Sequence, residues 1–132
     1  ANSTDAGIDF FIPDDYDDKT ELFPGESCVI PSGIKVDVPK GYALIAFNKS
    51  GVATKKGLHV GACVVDHGYQ GEVHINLTNV SADDQTLGAG ERIVQIILLP
   101  LGVPLVELVE ENNLYESKSS RGEGGFGSTG TK

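Results

Sequence analysis

Hydrophobic and polar side chains alternate along two stretches of the chain. Residues 34–38 alternate apolar with charged side chains, and residues 72–78 alternate aliphatic with polar ones. A period of two predicts strands with one buried face. Three shorter apolar runs, at 28–30, 42–47 and 93–99, each adjoin a Pro or Gly. These runs predict strands that are covered on both faces.

Glycine and proline separate these stretches. The chain has 17 Gly and 6 Pro. Turn signals stand at residues 23–25, 31–33, 39–41, 67–68 and 88–90. Short strands divided by such turns are typical of an all-β barrel or sandwich. Only residues 105–115 have the apolar spacing of a helix, and their β-branched side chains weaken that prediction.

The composition limits the possible classes of function. A chain of 132 residues is expected to form one domain. Its net charge of −9 argues against a general binder of DNA backbone or of anionic membranes. No apolar run could span a bilayer and no signal segment opens the chain. We therefore expect a cytoplasmic protein, or a nuclear or virion-associated one if the source is a eukaryote or a virus.

The residues offer few ways to hold a metal ion. Cys28 and Cys63 lack the spacing of a disulfide framework or a zinc site, so an ion must be held by oxygen. The acidic run at 14–18 invites comparison with a calcium loop. Lys19 and Thr20 occupy positions where such a loop needs a ligand and a glycine. We therefore interpret the run as a solvated loop.

The end of the chain differs in kind from the rest. Residues 121–130 combine many glycines with one Arg and one Phe, a composition typical of a flexible tail. The glycine spacing matches a dinucleotide fingerprint, but no predicted strand precedes it and no helix follows. Backbone N–H groups and the Arg121 guanidinium are nevertheless suited to binding phosphate.

Five segments in a fixed order carry a resemblance to a known family. They are residues 5–10 (DAGIDF), 48–53 (NKSGVA), 61–72 (GACVVDHGYQGE), 90–95 (GERIVQ) and 121–130 (RGEGGFGSTG). Over nearly its whole length the chain resembles the trimeric deoxyuridine triphosphate nucleotidohydrolases, or dUTPases. Any one of these motifs would be weak evidence, but five in the right order are specific.

The resemblance implies a fold, an assembly and a reaction. The fold is an all-β subunit of the β-clip type, a distorted jelly-roll barrel over residues 1–120. The assembly is a homotrimer, in which residues 121–132 of one chain close over a neighbouring subunit's active site. The reaction is hydrolysis of dUTP to dUMP and pyrophosphate with Mg²⁺, which keeps uracil out of DNA. No nucleic acid or membrane partner is expected.

Two carboxylates are the candidates for the chemical step and for the metal. By resemblance, Asp66 is the catalytic base that activates the attacking water. The local sequence alone predicts that Asp66 is an ordinary aspartate in a turn. By resemblance, Asp9 helps to position Mg²⁺, an ion that keeps waters and binds through substrate phosphates plus one or two carboxylates. The alternative is that Asp9 has no functional role and lies at the end of a strand.

Several polar residues are candidates for holding the triphosphate. Lys49, Ser50 and Gly51 offer a cation, a hydroxyl and a flexible backbone, although such a tripeptide is also a common surface turn. The family usually has Arg at the Lys49 position, so a bidentate contact becomes a point charge here. Gln95 is assigned to the phosphates by resemblance, and could instead face solvent on an edge strand. Arg121 is assigned to the γ phosphate.

A hairpin around residues 60–65 is the candidate base-recognition element. Its main chain can pair with the edge of uracil and leave cytosine with unpaired groups. The implied substrate contacts include Val65 and Cys63. The family commonly has Gly at the Cys63 position. By resemblance, Tyr69 lies under the deoxyribose and excludes a 2′-hydroxyl, although it could be a core tyrosine. From the tail, Phe126 is expected to stack on the base, with Gly127 and Ser128 also in contact with substrate.

Two other functions remain open from sequence. One is dCTP deamination, which relatives of the family perform on the same fold without the glycine-rich arm and the Tyr69 motif. The other is a catalytically inactive, dUTPase-like trimer that acts as a binding or regulatory module. The presence of Asp66, Tyr69 and Arg121 argues against an inactive protein.

Overall fold

The computed structural model describes residues 5–125, and strands account for most of its regular structure. Within these residues the strands are β1 (Ile8–Phe11), β2 (Glu21–Leu22), β3 (Ser27–Lys35), β4 (Tyr42–Asn48), β5 (Leu58–Val60), β6 (Val64–Asp66), β7 (Glu72–Asn79), β8 (Gln85–Thr86) and β9 (Arg92–Pro100). One α-helix, α1 (Ser50–Lys55), and one 3₁₀ turn (Glu111–Asn113) complete the elements. Neither helix is long and apolar enough to cross a membrane.

The strands form three sheets in the described part of the chain. The larger sheet has the order β1-β9-β4-β6, the second has the order β3-β7-β5, and β2 pairs with β8. Every pairing is antiparallel. The chain is all-β with the jelly-roll-like β-clip fold, as predicted, but the sheets do not close into a barrel.

The core lies where the alternating strands face inward. In β7, Val73, Ile75 and Leu77 are all buried, while the residues that alternate with them are half-buried or exposed. The last residue of the strand, Asn79, is also buried. In β9, the neighbouring residues Ile93 and Val94 are both buried, so this part of the strand is covered on both faces. The predicted strands at 42–47, 72–78 and 93–99 are thereby confirmed.

Three local predictions were wrong. The strand predicted at 34–38 extends only to Lys35, where β3 ends. The Pro-Ser-Gly sequence at 31–33 is not a turn between strands, because β3 runs through it with a shift of register against β7. Gly33 has a φ of +72° and serves a bulge, which requires the same residue types as a turn. The helix predicted at 105–115 is absent apart from the 3₁₀ turn. The α-helix that does form lies at Ser50–Lys55.

The 105–115 segment does not form a longer helix because no apolar surface of its own chain supports it. Leu105 is 97% exposed and Leu108 is 98% exposed. A short helix owes most of its stability to packing of its apolar face. An extended segment with such exposed side chains is suited to packing on another molecule.

Candidate active site

The hairpin predicted around residues 60–65 is not observed, because β5 pairs with β7 in one sheet and β6 pairs with β4 in the other. The carboxylate of Asp66 stands at the end of β6. Strand β6 ends at Asp66, opposite Ala43 of β4. The next residues turn sharply, since the Tyr69 N–H donates to the Asp66 carbonyl at 3.2 Å and Gly68 has a φ of +87°. This geometry requires glycine at the third turn position. The His67 ring contacts the Val38 carbonyl at 2.7 Å and ties the turn to the body of the protein, while Asp66 is exposed.

Tyr69 is fixed in place beside this turn. Its hydroxyl donates to the Glu72 carbonyl at 2.8 Å. The ring passes so close to Gly71 that a Cβ at that position would overlap it. The Gly71 position therefore accepts only glycine unless the ring moves. The Tyr69 side chain is 45% exposed, and these contacts fix its orientation before any ligand binds.

A cavity of about 270 Å³ separates β6 from β7. Four of the predicted site residues line it together, namely Cys63, Val65, Asp66 and Tyr69. Aliphatic side chains of the core form much of the remaining wall. An apolar cavity with a few polar groups at its mouth is the usual form of a small-molecule site. The prediction that the 60–65 segment and Tyr69 lie at one pocket is consistent with this geometry, although the segment is not a hairpin.

A second group of predicted residues lies around the start of α1. The Lys49 ammonium donates a hydrogen bond to the Asp9 carboxylate, and the Arg92 guanidinium lies 3.7 Å from the other carboxylate oxygen. Gln95 is opposite Asp9 in the sheet. Its amide donates to the Asn48 carbonyl at 2.9 Å. These contacts bring the metal candidate and two phosphate candidates together.

The cations around Asp9 change its proton affinity. The hydrogen bond from Lys49 lowers the pKa of the Asp9 carboxyl below its ordinary value, against the opposing effect of partial burial. The charges of Lys49 and Arg92 lower the pKa further. Asp9 is therefore ionised at neutral pH, as a carboxylate that serves a metal must be.

The predicted Lys-Ser-Gly phosphate motif begins a helix. Lys49 is the extended residue before α1, and Ser50 and Gly51 occupy its first turn. A Cβ on Gly51 would meet no atom within 4 Å, so the space above this turn is open to a ligand. The interpretation as a simple surface turn is replaced by the start of a helix.

The two groups of residues are far apart on one chain. Asp66 pairs with Ala43 at one end of β4, whereas Lys49 follows Asn48 at the other end. The extended chain advances about 20 Å between positions 43 and 49. The base candidate and the phosphate candidates therefore lie at opposite ends of β4 in the same chain.

The tail residues are only partly described. Arg121 is exposed, and its Nε donates to the Gly124 carbonyl at 2.8 Å, a contact within its own segment. Phe126, Gly127 and Ser128 lie outside the described residues, so the roles assigned to them stay predictions.

Sequence analysis missed three residues that support these groups. Arg92 contacts Asp9, and the side chains of Asn48 and Asn76 accept hydrogen bonds from the backbone at 60–62. Asn76 occupies one of the polar positions in an alternating strand, and no signal separates it from solvent-facing neighbours. Asn48 adjoins Lys49, and this adjacency was the only available signal.

Comparison with known proteins yields one family. A family model described as dUTPase matches residues 1–130. A deoxyuridine 5′-triphosphate nucleotidohydrolase of Hydrogenobaculum sp. is 38% identical over 134 residues, which cover 100% of this chain and 88% of the relative.

Two solved structures extend the comparison. A mutant of the Staphylococcus bacteriophage 80alpha dUTPase with dUpNHpp has a TM-score of 0.82 and 30% identity, covering 98% of this chain and 89% of that chain. A mutant dUTPase of phage phi11 of S. aureus, in which a structural Mg(II) ion is coordinated, has a TM-score of 0.71 and 25% identity, covering 87% and 88%.

Proposed function

The chain belongs to the dUTPase family, and we propose that it hydrolyses dUTP to dUMP and pyrophosphate. The observation that carries this proposal is the cavity shared by Asp66, Tyr69 and residues 62–65. A general base, a sugar-facing ring and a backbone suited to reading a base edge all meet there. These are the parts that a uracil-specific nucleotide hydrolase needs.

Asp66 is the proposed general base. Its exposed carboxylate accepts a proton from a water molecule, and the resulting hydroxide attacks the α phosphorus. The bond between that phosphorus and the bridging oxygen to the β phosphorus breaks, and pyrophosphate leaves. The pairing of β6 with β4 and the His67 contact to the Val38 carbonyl, at 2.7 Å, hold the turn in place, as general base catalysis requires.

The residues of this chain fit a magnesium ion that is carried mainly by the substrate. No three His, Cys, Asp or Glu side chains between residues 5 and 125 come together as an ion site. Magnesium is commonly bound by one or two carboxylates plus substrate phosphates, with several waters retained. Asp9 is suited to be that carboxylate. The ion neutralises phosphate charge, which matters in a protein of net charge −9.

The separation of the two residue groups supports a site shared between subunits. Asp66 of one chain and Lys49 of another can meet the same dUTP in a homotrimer, whereas those of one chain cannot. The exposed leucines Leu105 and Leu108 supply apolar surface for such an assembly. We further propose that the arm from Arg121 onward closes over the triphosphate, and that deleting residues 122–132 weakens dUTP binding without unfolding the protein.

Assays with a panel of nucleotides test the proposed function. The purified chain is incubated with each of the four standard dNTPs, dUTP and UTP, with and without Mg²⁺, and pyrophosphate and ammonia are both measured. Release from dUTP alone, dependent on Mg²⁺, is expected. Release of ammonia from dCTP would support a deaminase instead, and the absence of any turnover would support an inactive binding module.

A further inference from the structure

Two asparagine side chains hold the backbone of residues 60–62. The Val60 N–H donates to Asn48 Oδ1 at 2.8 Å, and the Ala62 N–H donates to Asn76 Oδ1 at 3.3 Å. The intervening Gly61 N–H donates to the Asn76 carbonyl at 3.1 Å. Three consecutive amides are thus held by two residues from different strands.

Each asparagine is itself anchored to a sheet. The Asn76 side-chain amide donates to the Cys28 carbonyl of β3 at 3.0 Å. The Asn48 carbonyl accepts the Gln95 amide of β9 at 2.9 Å. The position of residues 60–62 is therefore set by both sheets. The Asn76 side chain uses both its acceptor and its donor, and the Asn48 side chain accepts through Oδ1 while its backbone carbonyl accepts from Gln95.

Gly61 and Asn76 fit one another closely. A Cβ at residue 61 would overlap the Asn76 Oδ1. Gly61 is not among the glycines with positive φ, so the backbone itself tolerates another residue. The absence of a side chain at Gly61 thus makes room for the Asn76 amide.

Asn48, Asn76 and the residues 60–62 that they hold form a clamp. The clamped segment leads directly into the cavity wall. Ala62 and Cys63 line the cavity, and the Cys63 carbonyl accepts the Ala46 N–H at 2.8 Å. Because the amides of Val60, Gly61 and Ala62 are already paired, the donor offered to a base comes from Cys63 or later. Discrimination between bases depends on where such groups stand, since a wrong base leaves buried groups unpaired.

We propose that Asn48 and Asn76 are positioning residues for base selection, an inference that rests on the proposed function. They touch no substrate. They hold residues 60–62, so that the main chain of the following cavity segment presents the pairing pattern of uracil. Loss of either side chain lets this segment shift and accept cytosine.

Binding measurements on the full chain test this inference without turnover. Affinities for α,β-imido-dUTP and α,β-imido-dCTP are measured by calorimetry for the wild type, Asn76→Ala and Asn48→Ala. Each variant is expected to lose about tenfold in preference for the uridine analogue, the effect of one hydrogen bond of about 1.4 kcal/mol. An unchanged preference in variants that fold would overturn the proposal.

A matched control lies on the same strand. Thr78 is two residues from Asn76, and its hydroxyl makes a 2.7 Å hydrogen bond with Ser27 across the same sheet. Thr78→Val removes a cross-strand contact that does not involve residues 60–62, so base preference is expected to stay unchanged. Equal losses in Thr78→Val and Asn76→Ala would show a general effect on the sheet and overturn the positioning role.

A double-mutant cycle with Gly61→Ala tests the clamp itself. In the wild-type background the new methyl group must displace the Asn76 amide, so the loss of preference should equal that of Asn76→Ala. In the Asn76→Ala background the methyl group has space, so its further effect should be small. Additive losses would contradict the proposed contact. If Asn76→Ala does not fold, the base preference of Asn48→Ala tests the proposal instead, because this variant removes the acceptor of the Val60 N–H.

Failure of the proposed function is distinguishable from failure of this inference. A wild-type chain that prefers the uridine analogue but releases no pyrophosphate contradicts the enzymatic function, and its variants still decide the role of the two asparagines. A wild-type chain without any preference between the analogues overturns the inference directly.

Discussion

The ammonium group of Lys49 donates a hydrogen bond to the carboxylate of Asp9, although the two residues are 40 positions apart. Strand β9 lies between β1 and β4, and this order brings the two side chains together. The carboxylate assigned to the metal and the cation assigned to phosphate therefore neutralise one another in the free chain. Each must find a new partner when a nucleotide binds.

Coupled binding of metal and nucleotide follows from this ion pair. Mg²⁺ alone must compete with Lys49 for the carboxylate, whereas a triphosphate attracts Lys49 and leaves Asp9 for the ion. Calorimetry is expected to show that Mg²⁺ and α,β-imido-dUTP raise each other's affinity by about tenfold, within the usual range of such coupling.

The Lys49→Met variant sharpens this test. It removes the competing cation, so Mg²⁺ alone should bind more tightly than to the wild type, while the nucleotide should bind more weakly. Equal Mg²⁺ affinity in the presence and absence of nucleotide would show that the ion pair does not link the two ligands.

Stability in acid should also depend on Asp9. Lys49 lowers the Asp9 pKa from an ordinary value of 3.8, so the unfolded chain takes up this proton before the folded one. The stabilisation is fully present above about pH 5 and is lost as the pH falls through the lowered pKa. Asp9→Asn should cost about 1 kcal/mol in the free energy of unfolding at pH 7, and progressively less in acid.

Denaturant unfolding at fixed protein concentration measures that difference. The exposed carboxylate Asp37 provides the control, because Asp37→Asn leaves the ion pair intact. A destabilisation by Asp9→Asn that stays constant from about pH 7 to about pH 3 would contradict the linkage.

Replacing Asp66 should separate catalysis from binding. Asp66→Asn preserves the shape of the turn but cannot accept the proton of the attacking water, so kcat is expected to fall by about 10²–10⁴-fold. The affinity for α,β-imido-dUTP should stay close to that of the wild type. Asp84→Asn, an exposed change in another loop, is the control, and near-normal turnover in Asp66→Asn would remove Asp66 from its role.

The strand at 72–78 could be predicted from sequence because it is half-buried. In residues 72–78 burial on one face imposes a period of two that is visible without coordinates. Helix α1 has only six residues, too few to show a helical period. The bulge at Gly33 was mistaken for a turn because both need the same residue types.

The site could be predicted only in part, for a different physical reason. The motifs identified Asp9, Lys49 and Asp66, but their separations depend on strand order and register, which are properties of the whole fold. The proposed positioning role of Asn76 depends on its side-chain contacts with Ala62 and Cys28, and its position in the polar pattern was the same as that of His74.

Tyr69 should control the choice between deoxyribose and ribose. Tyr69→Ala opens space beside the cavity, so kcat/KM for UTP relative to dUTP should rise by about tenfold or more. Tyr69→Phe is the matched control, since it keeps the ring and removes only the 2.8 Å hydrogen bond to the Glu72 carbonyl. An unchanged sugar preference in Tyr69→Ala would show that the ring does not face the sugar.

Mixing two inactive variants should restore activity if each site takes its halves from different chains. Asp66→Asn lacks the base and Lys49→Met lacks the phosphate cation, and each alone should be impaired. In trimers refolded from an equal mixture, about a quarter of the sites should combine an intact Asp66 with an intact Lys49, as expected for random assembly around a symmetry axis.

The double variant Asp66→Asn/Lys49→Met, refolded with either single variant, is the control for this complementation. Such mixtures contain no site with both groups intact, because the double variant supplies neither group and the single variant supplies only one. Pyrophosphate release from dUTP should therefore rise only in the mixture of the two single variants. Equal activity in the two kinds of mixture would mean that the halves come from one chain, and the separation of about 20 Å along β4 would then have to close on substrate binding.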